Sequence, residues 1–382
     1  MNSQLPHIVF AGGGTAGHLF PGLAVAQQLV RSNAGISITF AGTGKPFEVE
    51  QVQAAGFRYV VLPCRPLPSR ARDAIRFVTD NVSGYYAARR IVREENVSLV
   101  VGLGGYASVP MARAAVRSDV PCVLLEQNVV PGRATRWLAP SATLVCAAFE
   151  ESRTYLKRNC RLRITGNPLR AQMRKRASTD DRPTMTDRKR KRTVVVLGGS
   201  GGARTLNQQV PFALYKAGAS LEGWRILHQT GERDAAATRE LYAKFGLKVT
   251  VRPFVNDMRT ALAAADFAIS RSGGTTLAEL AAFGVPTVLL PYPRAKDDHQ
   301  RKNADVFVAA GAARVVDERE ITERLDNHLA RHIADLADDV ALRSRMSEAM
   351  LRRARPKATR LVAKAIENLV WPMQACGDKQ AG

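Results

Sequence analysis

Three stretches of this 382-residue chain carry residue types at spacings suited to chemistry. The first is Gly12-x-Gly14-x-x-Gly17, followed at once by His18. Glycines let backbone N–H groups approach a phosphate, and a helix starting there adds partial positive charge. A dinucleotide site of the NAD(P) type also needs an acidic residue near the end of the second strand, for the ribose hydroxyls. The stretch Ser37–Thr43 has none. A purely structural tight turn is the other open reading. His18, beside such a turn, is placed to take a proton from an incoming hydroxyl, although a lone histidine is equally compatible with a structural role.

The second stretch is Ser270-Arg-Ser-Gly-Gly-Thr-Thr-Leu-Ala-Glu279. Amides near Gly273 and Gly274, with the hydroxyls of Thr275 and Thr276, make an anion site. Glu279, one turn further on, reaches a ribose diol. The same residue types also build a helix capping box. The third stretch, Gly198-Gly-Ser-Gly-Gly202, lies in the same half of the chain, and the pairing favours a nucleotide diphosphate.

These stretches need strands and helices to hold them. His7–Phe10 is a short buried strand running into the first glycine turn, with a helix from about Pro21 to Val30. Thr193–Leu197 is a β-branched strand running into the third, with a helix from about Ala203. Further strands are expected at Ser37–Ala41, Tyr59–Leu62, Leu99–Gly102, Cys122–Leu125 and Leu144–Cys146. The second half repeats the pattern at Arg225–His228, Lys248–Arg252, Phe267–Ser270, Thr287–Leu290 and Ala313–Val316. Short apolar strands between helices predict parallel sheets covered on both faces, hence two doubly wound α/β domains with a cleft between them. A last helix is expected near Lys357–Val370.

Composition narrows the function classes. The hydrophobic share of 46% and charged share of 24% belong to an ordinary globular protein, and the length suggests two domains. The five cysteines form no Cys-x-x-Cys pair, so a reducing compartment is expected, without a disulfide framework or zinc ribbon. The first thirty residues contain no Lys, Arg, Asp or Glu. Glycines and prolines interrupt them, which argues against a signal peptide or membrane span. The net charge of +22 calls for an anionic partner, whether nucleic acid, a membrane surface or a phosphorylated substrate. Much of the excess lies in Arg161–Arg192, read as a solvated linker. No nucleic-acid motif accompanies it, and aromatic content is only 6%, so no nucleic-acid partner is expected.

Six motifs now stand in one order: Gly13-Gly-Thr-Ala-Gly-His18, Gly104-Gly-Tyr-Ala-Ser108, Glu126-Gln-Asn128, Gly166-Asn-Pro-Leu-Arg170, Gly198-Gly-Ser-Gly-Gly-Ala203 and Ser270–Glu279, with His299-Gln300 and Asn303 beyond. Together, over residues 7 to 316, they resemble the MurG family of bacterial N-acetylglucosaminyl transferases, which convert lipid I to lipid II for peptidoglycan. The resemblance implies a GT-B fold, two Rossmann-like domains facing a cleft, with the donor UDP-GlcNAc mainly on the C-terminal one. It implies inversion at the anomeric carbon and transfer to the C4 hydroxyl of MurNAc, without a metal or other cofactor. The absence of an Asp-x-Asp pair agrees with this. It also implies an acceptor and membrane domain at 1–166 completed by a helix at 357–372, a basic linker at 167–192 and a donor domain at 193–350.

Carried over by position, His18 is the general base. Thr15, Ala16 and Gly17 face the reacting sugar, and Asn128 and Gln300 bond the sugar. Arg170 lies beside the nucleotide, Ser200 contacts the diphosphate, and Val255 offers main-chain groups to uracil. Gly274, Thr275, Thr276, Leu277, Ala278 and Glu279 hold phosphate and ribose. Gly14, Gly104, Gly105, Tyr106 and Ser108 form the acceptor loops. Ala16, Val109 and Val129-Val-Pro131 depart from the commoner family residues. Other GT-B transferases, a UDP-GlcNAc epimerase and a non-enzymatic nucleic-acid binder are the alternatives.

Ile75, Val78, Val82, Tyr85, Tyr86 and Arg89 share one helix face, with Arg70, Arg72, Arg76, Arg90 and Arg93 around them. A core-facing helix is the default for such a stripe. Lipid I has a polyprenyl tail that stays in the bilayer, so the resemblance points instead to peripheral attachment at the cytoplasmic face of the bacterial plasma membrane, on an anionic surface.

Overall fold

A computed structural model describes residues 5–33, 35–68, 70–174, 191–199, 201–320 and 323–371. The chain divides into two units. The first comprises the described residues of Met1–Gln127, Pro131–Arg170 and Lys357–Gly382, the second those of Asn128–Val130 and Ala171–Pro356.

In the first unit the strands are β1 (His7–Ala11), β2 (Ser37–Gly42), β3 (Arg58–Val61), β4 (Val97–Gly102), β5 (Cys122–Glu126), β6 (Leu144–Ala147) and β7 (Leu162–Ile164). They pair in parallel in the order β3-β2-β1-β4-β5-β6-β7. The central strand explains why apolar runs are required. Successive side chains point to opposite faces, and Ile8 and Phe10 enter one core cluster while Val9 and Ala11 enter another. Between strands run α1 (Ala16–Ser32), α2 (Pro46–Ala54), α3 (Ala74–Glu94), α4 (Val109–Arg117) and α5 (Arg133–Leu138). Strand β7 was not expected. It is three residues long and lies in the basic stretch read as a linker.

Helix α3 carries the apolar stripe, and the structure turns that stripe outward. Its core-facing side is made of small residues four apart, Gly84, Ala88 and Val92. A Cβ on Gly84 would sit 1.9 Å from the Pro63 carbonyl oxygen, so the backbone itself packs there. The large residues therefore fall on the opposite face, with Ile75 75%, Val78 55%, Val82 48% and Tyr86 63% exposed. Tyr85 instead packs against the core below. The core-facing default for the stripe does not hold. Among the described residues no helix is long and apolar enough to cross a membrane.

The second unit has β8 (Thr193–Leu197), β9 (Arg225–Gln229), β10 (Thr250–Arg252), β11 (Phe267–Ser270), β12 (Thr287–Leu289) and β13 (Ala313–Val315), in the parallel order β10-β9-β8-β11-β12-β13. Its helices are α6 (Ala171–Arg174), α7 (Arg204–Lys216), α8 (Ala235–Lys244), α9 (Met258–Ala264), α10 (Gly274–Phe283), α11 (His299–Ala309), α12 (Leu325–Asp338) and α13 (Val340–Arg353). Leu206, Val210 and Leu214 of α7 pack with Leu329, Ile333 and Leu336 of α12 over the sheet. Positions 175–190, the middle of the expected linker, lie outside the described residues.

The chain then returns to the first unit as α14 (Ala358–Val370). Val362, Ala363 and Ile366 join Leu19, Leu23 and Val25 of α1 in one cluster. Thr359 seals the joint by accepting from the Leu169 amide and donating to its carbonyl, at 3.1 and 2.9 Å.

Candidate active site

In each sheet the strand order reverses between two neighbours, β1 and β4 in the first, β8 and β11 in the second. Ligands in open α/β sheets bind at the carboxyl ends of such strands. Each of these four strands runs into one of the glycine turns singled out by sequence: Gly12–Gly14, Gly104–Gly105, Gly198–Gly202 and Ser272–Gly274. The four motifs owe their common placement to topology.

In the first unit, Gly12, Gly13 and Gly14 all have positive φ (129°, 146° and 85°), a path that residues with a Cβ resist. Thr15 is the extended N-cap of α1. Its hydroxyl lies 3.1 Å from Nδ1 of His18, which orients the imidazole. Gly104 (φ 98°) crosses directly over that ring; a Cβ there would lie 3.0 Å from His18 Cδ2 and 3.3 Å from Nε2. Ser108 closes this second turn by donating to the Gly105 carbonyl at 2.8 Å. Tyr106 is half-buried, and burial raises its hydroxyl pKa. Thr15, His18, Gly104, Gly105, Tyr106 and Ser108 are thus brought to one end of one sheet, with Ala16 and Gly17 in the first turn of α1.

One expectation changes here. The Gly14 amide is already taken: it donates to Glu48 Oε1 at 2.5 Å. An internal carboxylate, 1% exposed, occupies the N–H that a phosphate would need.

In the second unit α10 starts at Gly274 with Gly273 as N-cap, no capping side chain and no acidic residue in its first turn. First-turn amides of a helix have no intrahelical acceptor, and the helix dipole favours an anion there. Thr275 and Thr276 are half-buried at that end, Leu277 is buried, and Ala278 and Glu279 follow half-buried. The capping-box alternative does not apply, because glycine rather than a side chain caps the helix. Gln300 is held by the Tyr292 amide, which donates to its Oε1 at 2.9 Å; its Nε2 is then the donor side. Ser272 donates to the Gln300 carbonyl at 2.7 Å.

Val255 donates its N–H to Gln229 Oε1 at 3.2 Å, so its carbonyl is the main-chain group it offers a base. Asn128 belongs with the second unit, where its Oδ1 accepts from buried Asn303 at 3.0 Å. Asn303 also accepts from the Val129 amide at 2.8 Å and donates to the Ser272 carbonyl at 3.0 Å. It thereby ties Asn128 to the Ser272–Gly274 turn. Arg170 lies in the first unit, its guanidinium 4.4 Å from the centre of the Phe20 ring. Ser200 lies outside the described residues.

Two residues that sequence reasoning passed over support these turns. Glu48 is one. Gln229, 3% exposed, is the other: it donates to the Gly199 carbonyl at 2.8 Å while holding Val255. It joins two segments expected to touch the nucleotide. Its position at the very end of a strand flanking a switch point was the available signal. Burial pushes the thiols of Cys122 and Cys146 up to about 12 and that of Cys64 up to about 11.

Comparison with known proteins fits this architecture. Residues 8–147 match the glycosyltransferase family 28 N-terminal domain and residues 193–361 its C-terminal domain. The fold is GT-B and the chain is a UDP-sugar glycosyltransferase. A relative from Geobacter sulfurreducens is 36% identical over 361 residues, 93% of this chain and 96% of its own length. One from Chlorobaculum tepidum is 38% identical over 373 residues, 94% and 98% respectively. Both are named UDP-N-acetylglucosamine–N-acetylmuramyl-(pentapeptide) pyrophosphoryl-undecaprenol N-acetylglucosamine transferase. The crystal structure of Acinetobacter baumannii MurG superposes with a TM-score of 0.75 at 29% identity, covering 95% of this chain and 99% of that one. The chain belongs to the MurG family.

Proposed function

We propose that this enzyme moves GlcNAc from UDP-GlcNAc to the C4 hydroxyl of MurNAc in lipid I, giving lipid II, with inversion and without a metal. The observation that carries this reading is similarity along more than nine-tenths of both chains to transferases named for that reaction.

The residues divide the work by unit. In the second, the α10 turn from Gly274 to Glu279 takes phosphate and ribose, the Val255 carbonyl takes uracil, and Gln300 and Asn128 take the sugar. Ser200 contacts the diphosphate, and Arg170, carried by the first unit, is the residue assigned to lie beside the nucleotide. In the first, His18 acts on the acceptor. With Nδ1 protonated and donating to Thr15, the Nε2 lone pair removes the proton from the C4 hydroxyl as its oxygen attacks the anomeric carbon. The bond from that carbon to the UDP oxygen breaks, and its electron pair leaves with UDP. Amides, hydroxyls and the α10 dipole stabilise the departing diphosphate. Gly104, Gly105, Tyr106 and Ser108 border the acceptor.

The exposed stripe Ile75, Val78, Val82 and Tyr86, with its surrounding arginines, supports the further reading that the enzyme attaches peripherally to the anionic cytoplasmic surface of the plasma membrane, where lipid I would be met.

A transfer assay with radiolabelled UDP-GlcNAc, run with and without lipid I and with EDTA, tests this. Label should enter a lipid product only with lipid I, persist in EDTA, and show the β anomer by NMR. Label transfer that ignores lipid I, or that EDTA abolishes, refutes the reading. His18→Ala should lower turnover about 10²–10⁴-fold with UDP affinity intact.

A further inference from the structure

We infer that Glu48 is a positioning residue for His18, a built-in anion that fixes the first glycine turn. The inference rests on the reading of His18 as general base.

Three consecutive glycines at positive φ have no side chains to fix their path, and glycine loses more conformational freedom on ordering than any other residue. Something outside the turn must hold it. Among the described residues, two side chains reach this turn: exposed Lys45 donates to the Gly14 carbonyl at a long 3.4 Å, and buried Glu48, projecting from the first turn of α2, grips the Gly14 amide. Its Oε1 accepts from the Gly14 amide at 2.5 Å and the Thr43 hydroxyl at 3.0 Å. Its Oε2 accepts from the Thr43 amide at 3.1 Å and the Tyr59 hydroxyl at 2.5 Å. Tyr59 in turn accepts from the Gly44 amide at 3.0 Å. Burial and this carboxylate together raise the Tyr59 pKa, so its hydroxyl stays a donor.

The carboxylate thus links the turn after β1 to the turn after β2 and to β3. Its fit is close: a Cβ on Gly13 would lie 3.0 Å from Glu48 Cδ. Gly14 directly precedes Thr15, the residue that orients the imidazole. Holding the Gly14 amide therefore sets where Thr15 and His18 stand relative to an incoming hydroxyl. A charged acceptor gripping two amides and two hydroxyls is suited to this, since hydrogen bonds to ionised groups are the stronger kind. The same contact spends the Gly14 amide internally, so this turn acts as a mount for the base instead of a phosphate seat.

Glu48→Gln is the discriminating variant. The amide replaces one acceptor oxygen by a donor, and whichever way it turns, it faces an N–H or O–H with the wrong polarity. In the lipid I transfer assay, kcat should fall about 10–100-fold, as misplaced catalytic groups do. The KM for UDP-GlcNAc and the UDP affinity by calorimetry should stay within about twofold, a split that general destabilisation would not give. The double variant His18→Ala/Glu48→Gln should be no slower than His18→Ala alone, because Glu48 acts through His18. If Glu48→Gln does not fold, Tyr59→Phe carries the test; it removes one donor to the carboxylate and should lower kcat about 3–10-fold with UDP affinity kept. Unchanged kcat in the folded Glu48 variant, losses that multiply in the double variant, or a loss of UDP affinity that matches the loss of kcat would each overturn the inference. A fully active His18→Ala protein refutes the base assignment first, and the positioning role with it. An inactive His18→Ala beside an active Glu48→Gln refutes the positioning role alone.

Discussion

Replacing Gln229 by leucine should weaken UDP binding without touching any group that binds UDP. The side chain makes two hydrogen bonds, one to the Gly199 carbonyl and one from the Val255 amide. A neutral hydrogen bond contributes about 0.5–1.5 kcal/mol net. Gly199 and Val255 are only half-buried, so water can replace the lost partners and the figure for each stays within that range. The pair together then accounts for about 1–3 kcal/mol. Part of that loss appears in global stability and part in the freedom of the two segments in the unliganded protein. The second part must be overcome on binding. If it is 1–2 kcal/mol, UDP binds about 5–30-fold more weakly. Calorimetric titration of UDP measures this directly, with thermal unfolding run alongside to show that the variant is folded. Gln229→Glu sharpens the test. It still accepts from Val255 but turns a carboxylate oxygen toward the Gly199 carbonyl, so it too should bind UDP more weakly than the parent. A folded Gln229→Leu protein with UDP affinity within twofold of the parent would refute the idea that this side chain joins the nucleotide-binding segments.

Other consequences can be checked separately. Burial holds His228 neutral, with its pKa lowered to about 3, so as pH falls below 6.5 the unfolded chain takes up its proton first. Stability from this group is complete above pH 6.5 and declines toward pH 3, by about 2 kcal/mol between pH 6.5 and 5 at 1.36 kcal/mol per unit. Burial also lowers His332, to about 4. The comparison is therefore urea unfolding of the parent against His228→Leu, whose acid-side slope should be shallower; equal slopes would contradict the assignment. Glu279→Ala should cost UDP binding about 1–3 kcal/mol in calorimetry, and equal affinities would remove Glu279 from the ribose site. Ile75→Asp/Val82→Asp should sediment less with anionic liposomes, while parent binding should fall with salt. Unchanged sedimentation would assign the exposed face of α3 to something other than lipid.

Much of the fold was legible because it depends on local pattern. Buried parallel strands such as Val194–Leu197 read as unbroken apolar runs, and glycine turns mark their carboxyl ends. β7 escaped notice because Leu162-Arg-Ile164 is short and half-buried, with a charged residue at its centre, so neither alternation nor apolar length distinguishes it. The stripe on α3 was visible as a stripe, but periodicity shows only that a face exists. Which face turns inward was decided by Gly84, Ala88 and Val92, whose small size lets the backbone approach. Similarly, His18 and Glu279 could be picked out by neighbouring glycines, whereas Glu48 and Gln229 could not. Their partners are backbone amides and carbonyls brought near by sheet order, and a sequence does not display such partners.

The helix that closes the first unit is made after the whole of the second. Val362, Ala363 and Ile366 of α14 belong to the same core as Ile8 and Phe10 of β1, yet more than three hundred positions separate them along the chain. On a translating ribosome, the amino-terminal sheet emerges with one side of α1 uncovered, and its apolar surface waits while Ala171–Pro356 are synthesised. The intervening unit has its whole core available before that point. The part of the protein that is born first is therefore finished last, and it is the part for which a chaperone has the longest opportunity.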